Sequence, residues 1–429
     1  MTLLCLVFED SGGFPTNRAE LYQNGVDVLL KRWDVKRNIE RSQVYKGLSL
    51  KRKEALLGQI ARKTFEAGNY FFKQCEAERY ISEYIQNLPG ASTDPEALEV
   101  DSAAVLKSIE AYHGLLVERA RGIYSFSHLT FHEYFTAQEF ATNSDPKMLE
   151  QKLQILTSYI TDKRWREVFL LTIEKILPSA DYLLQTMKYY IDRLIAEDKK
   201  IQHFLVWVKK KSESIKCPYK LAAIRSFYFY YGSEAGFGLS HSPARSINPL
   251  PTADRLTCSL DKNFEKANHN EDLLKYSLAL DTVFAFANRA DDIASFSIET
   301  ISNCLTDVKN VATSKKLQEL KRELLVSDSD GITKGDLIGL QIEWWRTKRE
   351  VWTRQLRAAM IEHRNIGTDW EFSGEETQRL SQYYDANKLL VDCLNSDCDV
   401  SREVRQEIEE TLLLPIAEIE KWKKDKRRT

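Results

Sequence analysis

The chain has 429 residues, of which 43% are hydrophobic and 29% charged, and its formal net charge is −2. This length allows about two to four domains that each bury their own core. The near-neutral charge excludes a global field that would attract nucleic acid or an anionic membrane. The seven cysteines, most of them widely spaced, favour reduced thiols in a cytoplasm over a disulfide framework.

The N-terminal half begins with the apolar segment M-T-L-L-C-L-V-F, followed at once by Glu9 and Asp10. This segment lacks a basic region and is too short to cross a bilayer, so it predicts neither a signal peptide nor a membrane anchor. Apolar residues at helical spacing then predict helices at 17–33, 49–67, 76–87 and 101–113. Two short β-prone runs, Leu115–Val117 and Tyr124–Phe126, flank Ala-Arg-Gly at 120–122 and predict a hairpin. Helix, helix, hairpin and helix is the order of elements in a winged helix.

The stretch Y-S-F-S-H-L-T-F-H-E-Y-F-T-A-Q-E-F-A at 124–141 joins the second of these strands to an amphipathic helix. Thr130 and Glu133 have the spacing of a capping box, which predicts a helix that begins just after His128. His128 is then left at the corner, beside unpaired N–H groups and the positive end of the helix dipole, where phosphates are often bound.

The rest of the chain predicts further helices at 149–160, 165–176, 182–196, 203–210, 221–231, 273–288, 293–305 and 336–363. The aromatic run at 221–231 also fits a buried strand, but its helical context favours a helix. A stretch rich in Gly, Pro and Ser at 232–254 predicts a linker. Ser373 and Glu376 form a second capping box, and Ser401 caps a last helix that Pro415 bends or stops. The predicted fold class is mostly α, with helical bundle domains and one winged-helix-like unit that carries a short β-hairpin.

Several patterns that could carry chemistry fail on inspection. No G-x-x-x-x-G-K-(S/T) phosphate loop occurs, so the chain alone is not expected to hydrolyse ATP. His128 and His132 lie four apart, but Leu129 stands where a zinc peptidase needs Glu, so no metal site is expected. Cys393 and Cys398 lack a second ligand pair and are interpreted as core thiols.

Two further features are interpreted as structural. Trp345 and Trp352 share one helical face and are interpreted, with Trp344, as core or interface residues. The basic segment 421–428 is interpreted as a solvated helix end, with a weak nucleic-acid or protein contact as the alternative. DNA recognition by the winged helix is not expected, because its helix at 105–113 offers only Lys107.

The segment F-S-H-L-T-F-H-E-Y-F-T-A-Q resembles the end of the winged-helix domain in NACHT-type STAND ATPases, the nucleotide switches of animal inflammasome receptors and bacterial anti-phage proteins. The stretch 383–415 is similar to the C-terminal helical domain of cyanobacterial NACHT conflict-system proteins. By this resemblance His128 approaches the β-phosphate of bound ADP and helps to hold the closed state. ADP or ATP is the cofactor of the complete family, and none is expected for this chain alone. The N-terminal segment also resembles one inside the family's ATPase module, so the chain is expected to begin in the middle of that architecture.

The resemblance implies five parts: 1–69, a helical lid remnant of a NACHT ATPase module; 70–142, a winged-helix-like domain; 143–231, a helical domain; 232–269, a linker; and 270–429, a C-terminal helical domain. The expected function is that of a regulatory and sensing fragment in anti-phage or conflict defence, not an enzyme. Its expected partners are a NACHT ATPase core in cis or in trans and a protein or phage-derived trigger, without membrane and with nucleic acid disfavoured. The alternatives are a helical interaction scaffold independent of nucleotide, or a remnant without independent function.

Overall fold

The computed structural model describes residues 3–13, 15, 17–36, 48–88, 94–143, 145–176, 178–233, 255–262 and 370–428, with single residues and short runs between 319 and 366. The predicted helices at 273–288 and 293–305 lie outside the described residues. The mostly α fold class is confirmed, and the described strands form one small antiparallel sheet. The chain divides into two compact units, one of residues 1–190 with 392–404 and the other of residues 191–391 with 405–429.

The elements that open the chain are, in order, α1 (Leu3–Ser11), α2 (Arg18–Lys36), α3 (Leu50–Glu66), β1 (Phe72–Lys73), α4 (Gln74–Gln86), α5 (Pro95–His113), β2 (Leu116–Ala120), β3 (Ile123–Phe126), α6 (Leu129–Ala141), α7 (Pro146–Ser158), a 3₁₀ helix (Lys163–Trp165) and α8 (Arg166–Lys175). They continue with α9 (Asp181–Arg193), α10 (Lys199–Glu213), α11 (Leu221–Gly232), α12 (Arg255–Leu260), α13 (Gly374–Leu394), α14 (Arg402–Thr411) and α15 (Ile416–Lys426).

The sheet of the first unit has the strand order β1-β3-β2. The predicted hairpin is confirmed, with Leu116 opposite Phe126, and its turn contains Gly122 at a φ of 70°. This left-handed conformation suits glycine, and the Gly122 N–H donates to Glu118 Oε1 at 2.7 Å. The third strand places Phe72 opposite Tyr124 and was not predicted, because two residues carry no readable period.

The core of the first unit forms where α6 packs against α3 and α8. Phe131, Tyr134 and Phe135 of α6 are buried, as the helical spacing predicts. A Cβ added at Gly58 of α3 would lie 3.4 Å from the carbonyl oxygen of Phe135, so the two helices approach each other closely. Ser49 caps α3 through a 3.4 Å hydrogen bond from the Arg52 N–H, in agreement with the predicted start of this helix.

The second unit confirms the helical interpretation of 221–231, which is α11. Gly232 is required at its end, because a Cβ there would lie 2.5 Å from the Trp207 ring. The capping box at 373–376 is also confirmed: the Ser373 N–H donates to Glu376 Oε2 at 2.7 Å, and the Glu376 N–H donates to Ser373 Oγ at 3.2 Å.

The sequence-based assignment needs correction at two places in the second half of the chain. Helix α12 lies inside the stretch 232–269 that was predicted as a linker, because Leu256 and Leu260 are buried and stabilise a short amphipathic helix. The predicted role of Pro415 is also wrong, because the helix that Ser401 caps ends at Thr411, four residues earlier, and Pro415 occupies the N-cap position of α15. The division into five parts otherwise stays a prediction.

The contact between α6 and α3 can be tested by truncating one buried ring. Phe135 is fully buried, so Phe135→Ala should leave a cavity and destabilise the first unit by roughly 3–5 kcal/mol. Met148→Ala on α7 is the control, because Met148 is 45% exposed and its loss should change stability by less than about 0.5 kcal/mol. Hydrogen exchange of the α3 and α6 amides, followed by mass spectrometry, measures the loss locally. Equal protection in the two variants would contradict the assigned core.

Candidate functional site

The candidate site is the corner between β3 and α6, and Arg119 of the neighbouring strand β2 holds its shape. The Arg119 side chain donates from Nε to Ser125 Oγ at 2.9 Å and from Nη2 to the Ser127 carbonyl at 2.7 Å. Both bonds are made by a guanidinium fork, which fixes direction as well as distance. The chain therefore leaves the sheet and enters α6 along a defined path.

His128 occupies the N-cap position of α6. Its backbone is extended (φ −135°, ψ 146°), and its carbonyl accepts the N–H groups of Phe131 at 3.1 Å and His132 at 3.4 Å. The imidazole makes no capping hydrogen bond and is exposed, and the adjacent Leu129 is 53% exposed. An exposed imidazole thus lies beside the positive end of a helix, which is a favourable position for an anion.

The predicted role of Thr130 and Glu133 as a capping box is wrong. Helix α6 begins at Leu129, so Thr130 is already its second residue and cannot be the cap. The Thr130 hydroxyl instead contacts Tyr22 of α2. Glu133 is half-buried, and burial, followed by the nearby Glu167 carboxylate, raises its pKa to about 7.

His132 is a core residue and not part of an exposed histidine pair. Its Nε2 lies 3.0 Å from the Ala61 carbonyl and 2.9 Å from Thr64 Oγ1, both on α3. Because a carbonyl can only accept, Nε2 carries the proton. The ring stacks on Phe126 with centroids 4.7 Å apart, and burial lowers the pKa of His132 to about 4. Within the part of the chain that the structure describes, no group of His, Cys, Asp and Glu could hold a metal ion.

A partly buried polar cluster of Gln23, Tyr134 and Lys175 is not predicted by the sequence. Tyr134 Oη donates to Gln23 Oε1 at 2.6 Å, and Lys175 Nζ donates to the same oxygen at 3.2 Å and to Tyr134 Oη at 3.1 Å. Burial lowers the pKa of Lys175 to about 8, although Glu54 and Asp27 oppose that effect. The cluster joins α2, α6 and α8, which are far apart in sequence, and no local sequence pattern predicts a contact among them.

The other residues that the sequence singled out have structural environments where they are described. Cys393 is buried, and the Cys398 thiol lies 3.5 Å from its carbonyl, so neither belongs to a described metal site. Trp352 is buried, as predicted, whereas Trp344 and Trp345 lie outside the described residues. None of the described helices has the length and apolarity needed to cross a membrane.

Comparison with known families fits a helical protein that carries a winged-helix domain. Residues 18–140 match the winged helix-turn-helix domain C-terminal to NACHT, and residues 313–415 match NACHT C-terminal helical domain 2. The chain therefore carries domains of the C-terminal region of NACHT proteins, and neither matched domain is a catalytic one. The first match includes α2 and α3, which the resemblance assigns to the helical lid remnant. No curated protein and no solved structure matches the chain.

The neighbours His132 and Glu133 should affect stability with opposite dependence on pH. The pKa of His132 is lowered from 6.5 to about 4, so between these values the unfolded chain binds the extra proton and stability rises with pH. The pKa of Glu133 is raised from 4.5 to about 7, so the folded chain holds the extra proton and stability falls with pH. The two effects offset each other between about pH 4.5 and 6.5.

Single substitutions should separate the two dependences of the unfolding free energy on pH. As the pH rises, the stability of His132→Gln should fall relative to the unsubstituted chain, and that of Glu133→Gln should rise. Each change should amount to at most about 1.4 kcal/mol per pH unit. Unfolding in urea at a series of pH values measures both, and Glu150→Gln, at an exposed position of α7, is the control. Curves that stay parallel to that of the control would contradict the assigned environments.

Proposed function

We propose that the chain is the regulatory and sensing part of a NACHT-type nucleotide switch, serving anti-phage or conflict defence in a prokaryote. The observation that carries the proposal is the exposed imidazole of His128 at the N-terminus of α6, inside a matched NACHT-associated winged helix. Its neighbour His132, four residues on, is committed to the core. Of the two histidines in the motif, His128 is thus the one that can reach a ligand.

The chemistry at this corner suits a phosphate. The described residues provide no acceptor for the N–H groups of Leu129 and Thr130, which belong to the open first turn of α6. These groups, the helix dipole and the His128 ring can all donate to, or attract, negative charge. In the proposed switch, His128 contacts the β-phosphate of ADP while a NACHT core binds the rest of the nucleotide.

The nucleotide site needs a second component, because this sequence contains no phosphate loop. The proposed partner is a NACHT ATPase core, joined to this chain in cis or supplied in trans, and the chain by itself is not an ATPase. Exchange of ADP for ATP then releases the winged helix from the core. The hydrogen bonds from Arg119 to Ser125 and Ser127 and the packing of α6 on α3 make this domain rigid. The domain can therefore move as one body.

The C-terminal helical region is the proposed surface for the trigger, which is a protein of the host or the phage. This assignment rests on the match at 313–415 and on the absence of a catalytic domain from the two matches. A helical interaction scaffold that never meets a nucleotide is the alternative, and the following experiment separates the two.

ADP retention by the complex of this chain with a NACHT core tests the role of His128. The chain alone should bind ADP with a Kd above about 1 mM, and the complex should retain it. His128→Ala should weaken retention about 10-fold, which is the effect of losing one charge-assisted hydrogen bond. Calorimetry on the isolated chain and quantification of ADP released from the purified complex are the measurements.

His203→Ala on α10 is the matched control, since it also removes an exposed histidine. It should leave ADP retention unchanged. Equal retention by the His128→Ala complex would refute the assigned contact. Partner binding that is unaffected by ADP, ATP or His128→Ala would instead favour the scaffold.

A further inference from the structure

The backbone on both sides of His128 is held by hydrogen bonds. Before it, the Ser127 N–H donates to the Leu115 carbonyl at 2.8 Å, and the Ser127 carbonyl accepts from Arg119. After it, the His128 carbonyl accepts two N–H groups of α6. The imidazole, by contrast, forms no hydrogen bond within the described part of the chain, and its ring centroid lies 6.1 Å from that of Phe131. The direction of the imidazole is therefore set mainly by the backbone.

The Arg119 guanidinium spans the three residues that precede His128. Its Nε donates to Ser125 Oγ at 2.9 Å, and its Nη2 donates to the carbonyls of Phe126 at 3.5 Å and Ser127 at 2.7 Å. The Ser125 hydroxyl donates in turn to the Phe126 carbonyl at 2.8 Å. Because a guanidinium presents its donors in a fixed planar fork, these bonds restrict rotation of the peptide that joins Ser127 to His128.

The side chain of Arg119 is committed to this segment. Among the described residues it forms no ion pair, and all its hydrogen bonds go to the end of β3 and the residue that follows. The nearby carboxylates have other donors. Glu118 accepts from the Gly122 N–H at 2.7 Å and from Lys107 Nζ at 3.3 Å, and Glu110 accepts from Lys107 Nζ at 3.1 Å. Arg119 thus acts on the backbone before the motif helix and not on a carboxylate.

We propose that Arg119 is the positioning residue of the candidate site: through the Ser127 peptide, it holds the His128 imidazole in the direction from which it contacts the β-phosphate of ADP. This inference rests on the proposed nucleotide switch. Partly exposed hydrogen bonds contribute modestly to stability, whereas a displacement of about 1 Å in a functional site can cost about 100-fold. A lysine at 119 keeps the charge but lacks the fork, so it cannot hold both acceptors in place.

Histidine NMR on the full chain tests the positioning without a nucleotide. The chain contains seven histidines, so labelling of Cε1 with ¹³C gives a simple spectrum, and His128→Ala assigns the His128 signal. Arg119→Lys should shift or broaden this signal, because the peptide before His128 is released. Ser125→Ala should shift it less, since it removes one acceptor of the fork and leaves the charge unchanged.

Arg121→Lys is the matched control for Arg119→Lys. Arg121 is exposed in the same hairpin and forms no hydrogen bond among the described residues, so its replacement should leave the His128 signal unchanged. The signal of His132, which lies in the core, reports whether each variant keeps the fold of the domain.

ADP retention by the complex of this chain with a NACHT core tests the consequence for binding. Arg119→Lys should weaken retention about three- to fivefold, and Arg121→Lys should not weaken it. In the His128→Ala background, Arg119→Lys should change retention by less than about twofold, because no imidazole is left to position.

An unchanged His128 signal in Arg119→Lys overturns the inference, whatever the nucleotide result. An equal loss of ADP in the presence and absence of the imidazole also overturns it, since Arg119 would then contact the nucleotide directly or only stabilise the fold. Unchanged retention by the His128→Ala complex refutes the proposed switch instead, and the NMR comparison still decides whether Arg119 positions His128.

Discussion

The buried hydrogen bond between His132 and α3 is the interaction on which the first unit depends. It joins the motif helix to the Ala61 carbonyl and to Thr64, and the ring at the same time stacks on Phe126 of the sheet. One neutral imidazole thereby connects two helices and a strand. If His132 gained a proton, the charge would lie in an apolar environment, and no carboxylate of the described residues lies within ion-pair distance. The same bond that organises the unit therefore also limits its acid stability.

This bond explains why one histidine of the motif is buried and the other is exposed. His128 and His132 are four residues apart, and inside a regular helix they would share a face. His128, however, is the N-cap, and its extended backbone places it before the first helical turn. Since His132 faces the core, the helix rotation is fixed, and the corner residue is left at the surface. The position of the proposed phosphate contact is thus set by the packing of its neighbour.

The sequence predicted those features that a local pattern encodes. The hairpin, the apolar-faced helices that fall within the described residues and the capping box at Ser373 are all short-range, and each is confirmed. The failed cap at Thr130 shows the limit of such patterns. A threonine followed three residues later by glutamate fits the rule, yet α6 begins at Leu129, two residues before the start that a cap at Thr130 would give, and the Thr130 hydroxyl contacts Tyr22 instead.

The features that the sequence could not predict depend on contacts between segments that are distant in sequence. Arg225 belongs to an aromatic helix and has nothing unusual beside it in sequence; its role becomes visible only when the C-terminal end of α14 supplies the carbonyls of Glu409 and Glu410 as acceptors for its guanidinium. The same holds for the cluster of Gln23, Tyr134 and Lys175, whose members come from α2, α6 and α8. Neither set of contacts follows from the spacing of residues along one segment, so both become visible only in the folded chain.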